Sequence, residues 1–351
     1  MKLASTSVRL ALVGLTLMVS FVLAAAPRGG YHLLKKYSFG AAPGSTGEYF
    51  DYIMVDSSAR RVYLSRGTAI QVIDADTGAL IGNITGFKRD HGVAVAGEFG
   101  RGFVSDGGQG NVTIFDLKSL TVIGHAKAAD DADCVVYDPA SKRVFVMEGD
   151  PNSFTAIDAK SGSVVETVAL GGSPEFAVAD DAGTLFINLE SKNELVAVDT
   201  HSLKIKSRWP VAPAGGPTAL AMDIRHRRLF SAGREPQMLV VMDADSGRVI
   251  KSFPISGGVD AAAFDPETGM IFASTREGMI HVFHEDSPND FSAVEEVKTE
   301  YGAKTMGLDM KTHNVFVDTA DFAAPQTPPA GGRASRRMAV PGTFHVLVYG
   351  R

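Results

Sequence analysis

From about residue 50 to the C-terminus, short runs of alternating apolar and polar residues are separated by Gly-, Asp- and Ser-rich turns. The segment 93–131 is representative. It contains VAVAG (93–97), GRGFVSDG (100–107), NVTIFDL (111–117) and TVIGHAKA (121–128). Period-2 alternation over such lengths, punctuated by tight turns, predicts four antiparallel strands. An aromatic residue marks the second run of every unit: Tyr63, Phe103, Phe145, Phe186, Phe230, Phe272 and Phe316. The intervals are 40, 42, 41, 44, 42 and 44 residues. A period of this size is the signature of a repeat architecture.

Seven units of four strands require 28 strands, but the seventh unit ends on its third strand, residues 344–350. Residues 31–39, YHLLKKYSF, precede the first unit and have the character of a fourth strand. Pairing them with the last unit removes exposed edges and fastens the two ends of the chain. The expected fold is all-β: a seven-bladed β-propeller of four-stranded antiparallel blades, with the last blade closed by the N-terminal strand. One domain, 25–351, follows a leader. Residues 318–343, rich in Pro, Gly and Ala with Arg333, Arg336 and Arg337, are a long loop inserted in the last blade.

Asp74, Asp116, Asp158, Asp199 and Asp243 recur at the end of the third strand. Asp56, Asp138, Asp180, Asp223, Asp265 and Asp309 recur at the end of the first. A short carboxylate ahead of a tight turn accepts backbone N–H groups, so both sets are expected to form turns.

These strand signatures resemble the YVTN-repeat (YncE-like) propeller family over roughly residues 45–320. Tyr63-Leu64-Ser65-Arg66 and Phe186-Ile187-Asn188-Leu189 are degenerate versions of its Tyr-Val-Thr-Asn motif. His91-Gly92-Val93-Ala94-Val95 is similar to its first-strand entry. The resemblance implies an exported propeller and leaves the reaction open. A WD40-like assignment is weaker, because the repeats lack Trp-Asp and Trp209 is the single tryptophan.

Residues 1–26 support export. Lys2 and Arg9 precede an apolar stretch from Leu10 to Leu23, then Ala24, Ala25 and Ala26. This is a secretory signal, with cleavage expected after Ala24 and a periplasmic or secreted product without a membrane span. Removing the leader leaves 32 basic against 40 acidic residues, a balance of −8, which argues against a nucleic-acid partner. Cys134 is the only cysteine. It excludes an intramolecular disulfide and is expected in the core. A monomer is the expectation.

Aligning the seven first strands places Asp51, Gly92, Asp133, Glu175, Thr218, Asp260 and Lys304 around one mouth of the central channel, with His91 beside the glycine. Four converging carboxylates, Asp51, Asp133, Glu175 and Asp260, suit a hard divalent cation such as Ca²⁺. The loops after the second strands add Arg66, Asp106, Glu148, Glu190, Arg234 and Arg276. Candidate ligand-binding residues are therefore His91, Glu175, Asn188, Glu190, Arg234 and Lys304. The pairing of Glu175 with Asn188 is also similar to the metal sites of gluconolactonase-like enzymes. No residue is assigned a catalytic role: HExxH, GxSxG, phosphate-loop and dinucleotide motifs are absent. The leading expectation is a binding or scaffold protein that takes a small polar ligand or a protein at the channel mouth. Its alternatives are a metal-assisted hydrolase, lactonase or lyase with His91 as base, and an accessory subunit of a periplasmic redox enzyme.

Overall fold

A computed structural model describes residues 29–324 and 337–351. The leader, Arg333 and Arg336 lie outside the described residues. The described residues form 28 strands in seven four-stranded antiparallel sheets. Blades 1 to 6 run in chain order over residues 53–85, 90–127, 132–169, 174–210, 217–254 and 259–298. Blade 7 combines Met306–Asp309, Asn314–Thr319, His345–Gly350 and, on its outer edge, His32–Ser38. The N-terminal strand runs antiparallel to the C-terminal one, from His32 opposite Gly350 to Ser38 opposite His345. The first strand of each blade faces the axis and neighbours the first strands of the two adjacent blades, which closes the ring.

The core lies between blades. Tyr63 and Val72 of blade 1 pack with Val93, Val104 and Phe115 of blade 2, and Phe316 of blade 7 packs with Ile53 and Val62 of blade 1. All seven periodic aromatics are buried. Truncating one to alanine removes about 3–5 kcal/mol.

The recurrent aspartates form turns. Asp74 accepts N–H groups of Asp76 and Thr77, Asp116 those of Lys118 and Ser119, and Asp199 those of His201 and Ser202. The first-strand set does the same, and two of its members also bind a cation from the next blade. Arg60 of blade 1 bonds Asp309 of blade 7 at 2.7 Å, and Arg227 of blade 5 bonds Asp180 of blade 4 at 2.9 Å. Arg60 and Arg227 both adopt left-handed backbone, at φ 56° and 58°.

The position two residues after each aromatic shares its face of the strand, and there a polar side chain joins blades. Ser65 bonds the Asp90 carbonyl, Ser105 the Asp133 carbonyl, Asn188 the Ala219 carbonyl and Ser274 the Lys304 carbonyl. Blades 3 and 5 depart from this with Met147, which packs beside the buried Cys134, and Ala232. His281 and His284 diverge as strand alternation requires. His281 is buried against Ser256, whereas His284 bonds Asp286 at 2.7 Å.

Candidate functional site

Each first strand begins at the same end of the ring, so the residues at and just before its start converge on the axis. They line a cavity of about 460 Å³ bounded by Asp51, His91, Asp133, Glu175, Arg234 and Asp260, together with Arg89, Arg276 and Lys304. Tyr52 of blade 1 and Phe176 of blade 4 meet across the axis, with ring centroids 4.9 Å apart and planes at 30°. They form an apolar floor under the charged rim. Phe176 also packs on the cores of blades 5, 6 and 7.

The charged side chains form two connected groups. In one, His91 Nδ1 lies 2.7 Å from Asp51 Oδ2 and 3.3 Å from Asp133 Oδ1. Tyr49 adds its hydroxyl 3.1 Å from the same nitrogen. In the other, Lys304 Nζ lies 2.9 Å from Asp51 Oδ1 and also contacts Asp260, which Arg234 bonds at 2.5 Å. Asp51 links the two. Gly92 permits this crowding at the rim, since a Cβ there would lie 3.1 Å from the Asp133 carbonyl oxygen.

Electrostatics follow from the pairing. Burial raises the Asp51 carboxyl, but Lys304 and His91 outweigh it and hold the group below the usual carboxylate range. Burial opposes charge on Lys304 and His91 as well. Asp51 with Asp260 outweighs it for the ammonium, and Asp51 with Asp133 outweighs it for the imidazole, so both are held above their ordinary values. Asp133 is pushed up to about 6 by burial and the neighbouring acids, against the pull of His91. Burial and the Asp133 charge push Glu175 well above the usual carboxylate range despite Arg234. Arg89, Arg234, Arg276 and Lys304 thus face Asp51, Asp131, Asp133 and Asp260, with Glu175 drawn toward its protonated form.

The expected ring of four carboxylates around one ion takes a different form here. Asp51 and Asp133 meet at His91, while the Lys304 ammonium stands between Asp51 and Asp260. Within the mouth, Asp51, His91 and Asp133 have ligand atoms within 4.8 Å of one another. This set includes an imidazole nitrogen, which suits a zinc-class ion better than the all-oxygen set expected for calcium.

Among the candidate ligand-binding residues, His91, Glu175, Arg234 and Lys304 line the cavity. Asn188 does not: its amide donates to the Ala219 carbonyl and accepts from Ser231, both at 2.9 Å, behind the cavity wall. Glu190 supports Arg234 at 3.0 Å from outside the lining. Of the other loop residues, Asp106 and Glu148 accept backbone N–H groups of Lys88, Arg89 and Ala129. Arg66 is buried against Glu48 and over the Phe344 ring. Thr218 faces its own turn and bonds the Gly216 carbonyl.

Sequence reasoning missed Tyr49, Tyr52, Arg89, Asp131 and Phe176. Arg89 and Asp131 stand two residues before His91 and Asp133; extending the alignment into the interblade loops reaches them. Tyr52 and Phe176 each follow a ring residue directly. The described base of the long loop borders a second cavity of about 310 Å³, which shares Asp51, Arg89, Arg276 and Lys304 with the first. Phe322 pairs with Ala339 there, and Arg337 lies over the Tyr301 ring at 4.6 Å.

No family model and no curated protein matches the chain. Solved structures do. Hydrazine synthase of Kuenenia stuttgartiensis is 14% identical with a TM-score of 0.69, over 79% of this chain and 96% of that one. The WD40 repeats of RRP9 are 8% identical with a TM-score of 0.71, over 90% and 100%. U3-55K is 8% identical with a TM-score of 0.71, over 90% and 98%. At these identities the likeness establishes the propeller and nothing of its chemistry. Among the described residues, no helix is long and apolar enough to cross a membrane.

Proposed function

We propose that this chain is an exported, YVTN-type propeller that binds a small polar ligand in its axial cavity. The ligand carries an anionic group and one apolar face, and no chemical step is required. The observation that carries this reading is the cavity of about 460 Å³ with an aromatic floor, Tyr52 and Phe176, under a rim of Arg89, Arg234, Arg276 and Lys304. The volume lies in the range of small-molecule sites. The guanidinium groups offer planar, paired donors to a carboxylate or phosphate. Glu175, which holds its proton more tightly than an ordinary carboxyl, offers in that form a donor that an ionised acid lacks.

Calorimetric titration of the purified mature chain with sugar acids and sugar phosphates, against the corresponding neutral sugars, tests it. Binding of the acids alone, lost in Arg234→Ala, supports the reading. Equal response to neutral and acidic compounds, or none to either, defeats it.

A second reading, a divalent cation held by Asp51, His91 and Asp133 in a metal-assisted hydrolase, has one observation in its favour. Asp133 Oδ1 is buried without a hydrogen-bond donor. A stoichiometric metal in the purified protein, lost in Asp133→Asn, would favour it. The Lys304 ammonium, 2.9 Å from Asp51, opposes it by direct repulsion of the cation.

A further inference from the structure

The third and fourth strands of blade 6, Met279–Ser287 and Asp290–Lys298, have nine residues each, whereas those of the other blades have six or seven. The extra length carries Glu285 over the first turn of blade 5. Arg228 fixes the extension there: Nε bonds the Pro288 carbonyl at 2.5 Å and a terminal nitrogen bonds Asn289 at 3.1 Å. Glu285 thereby meets Asp223 and His226. The His226 Nδ1 atom lies 2.7 Å from Asp223 Oδ2 and 2.8 Å from Glu285 Oε1.

This arrangement goes beyond the turn-forming role of Asp223. In the homologous turns of blades 7 and 4, the cation is a guanidinium that meets one buried turn carboxylate and one exposed acid, Arg60 with Asp309 and Asp76, and Arg227 with Asp180 and Asp245. Here both carboxylates that face one imidazole nitrogen are buried. Glu285 is 8% exposed, and its Oε2 is buried with no hydrogen-bond partner. A buried carboxylate oxygen without a donor is costly. The ligand atoms of Asp223, His226 and Glu285 lie within 4.8 Å of one another. His226 is only partly buried, which leaves an entry path from solvent.

We propose that Asp223, His226 and Glu285 form a zinc-class divalent metal site on the face opposite the axial cavity. The first strand of blade 5 separates the two by roughly 17 Å between Thr218 and Asp223. One imidazole nitrogen and two carboxylates are three of the four donors such an ion takes, with water as the fourth. Bonds of about 2.0–2.2 Å in a tetrahedral arrangement put neighbouring donors about 3.3 Å apart. The pairs now at 2.7 and 2.8 Å therefore open by about half an ångström on binding. The ion bridges blades 5 and 6 and supplies the partner that Glu285 Oε2 lacks.

Titration of the metal-free mature chain with ZnCl₂, followed by calorimetry and thermal unfolding, tests this. One equivalent should bind and raise the midpoint of unfolding. His226→Ala and Glu285→Gln should each weaken binding by roughly tenfold or more, whereas Asp51→Asn and Asp133→Asn should leave this equivalent in place. Substitution by Co²⁺ should give a visible absorption band that His226→Ala abolishes, a readout of ligation rather than of folding. Absence of zinc binding, or binding unchanged in both variants of this cluster, would overturn the proposal. Loss only in the Asp51 and Asp133 variants would overturn it too, and would move the ion to the axial cavity.

Discussion

Lys304 Nζ lies 2.9 Å from Asp51 Oδ1 across 253 residues of sequence, so an ion pair joins the first and last blades at the channel mouth. Both side chains are largely buried, and Asp260 shares the same ammonium. Removing one partner leaves buried, uncompensated charge, the costly half of any such pair. Lys304→Met should destabilise the fold by about 3–5 kcal/mol in urea unfolding at neutral pH. Adding Asp51→Asn and Asp260→Asn should recover part of that loss. If the triple variant is no more stable than the single one, the pairing is not what Lys304 contributes.

Arg234 and Asn188 should separate binding from architecture. Arg234 lines the cavity and is partly exposed, so Arg234→Ala should lower ligand affinity by about tenfold or more with a small change in stability. Asn188→Ala removes the bonds to Ala219 and Ser231 in a buried setting. It should cost about 1–3 kcal/mol and leave affinity unaltered. Parallel calorimetry and denaturant titration of the two variants give the comparison, and a reversed pattern contradicts the assignment.

The same contrast shows what can be read from the chain alone. The period of the aromatics set the number of blades, and the missing final strand pointed to residues 31–39, because both depend on local alternation and counting. Aligning the first strands gave Asp51, Asp133, Glu175, Asp260 and Lys304, all of which line the cavity, and His91 lines it from beside Gly92. Asn188 was misjudged because its side chain turns toward the neighbouring blade, a matter of strand face rather than chain position. The carboxylates were read as one ring because a list of acids does not reveal where Lys304 will insert. The Tyr52–Phe176 contact joins blades three apart and has no local signature.

Asp318 makes stability depend on pH. Burial pushes its carboxyl up to about 8 from an ordinary 3.8. The Thr305 hydroxyl bonds Asp318 Oδ1 at 2.9 Å and also reaches the Asp51 carbonyl, and burial outweighs its pull on the carboxyl. A raised acid binds its proton more tightly in the folded state, so its contribution is complete below the unfolded value. It declines as the pH rises and is gone above the folded one. The stability of the wild type relative to Asp318→Asn should therefore fall between pH 4 and pH 8, measured by urea unfolding in steps of pH. A difference that stays flat or rises across that interval would show that Asp318 is ionised in the fold.

Deleting residues 29–38 should expose the edge of His345–Gly350 and unfold blade 7 first. Hydrogen exchange should then show lost protection in Asn314–Thr319 and His345–Gly350 while blades 3 and 4 keep theirs. Uniform loss of protection would mean that the ring melts as one unit.

Because one sheet is assembled from both extremities, the polypeptide cannot complete its circle until the whole of it is available. During synthesis His32–Ser38 emerges ahead of the other described strands and waits for a partner more than three hundred positions away, the arrangement with the greatest loop-closure penalty. A circular permutant that joins Arg351 to Gly29 and opens the chain between blades 3 and 4 makes that contact local. It should refold faster than the parent while keeping the same cavity.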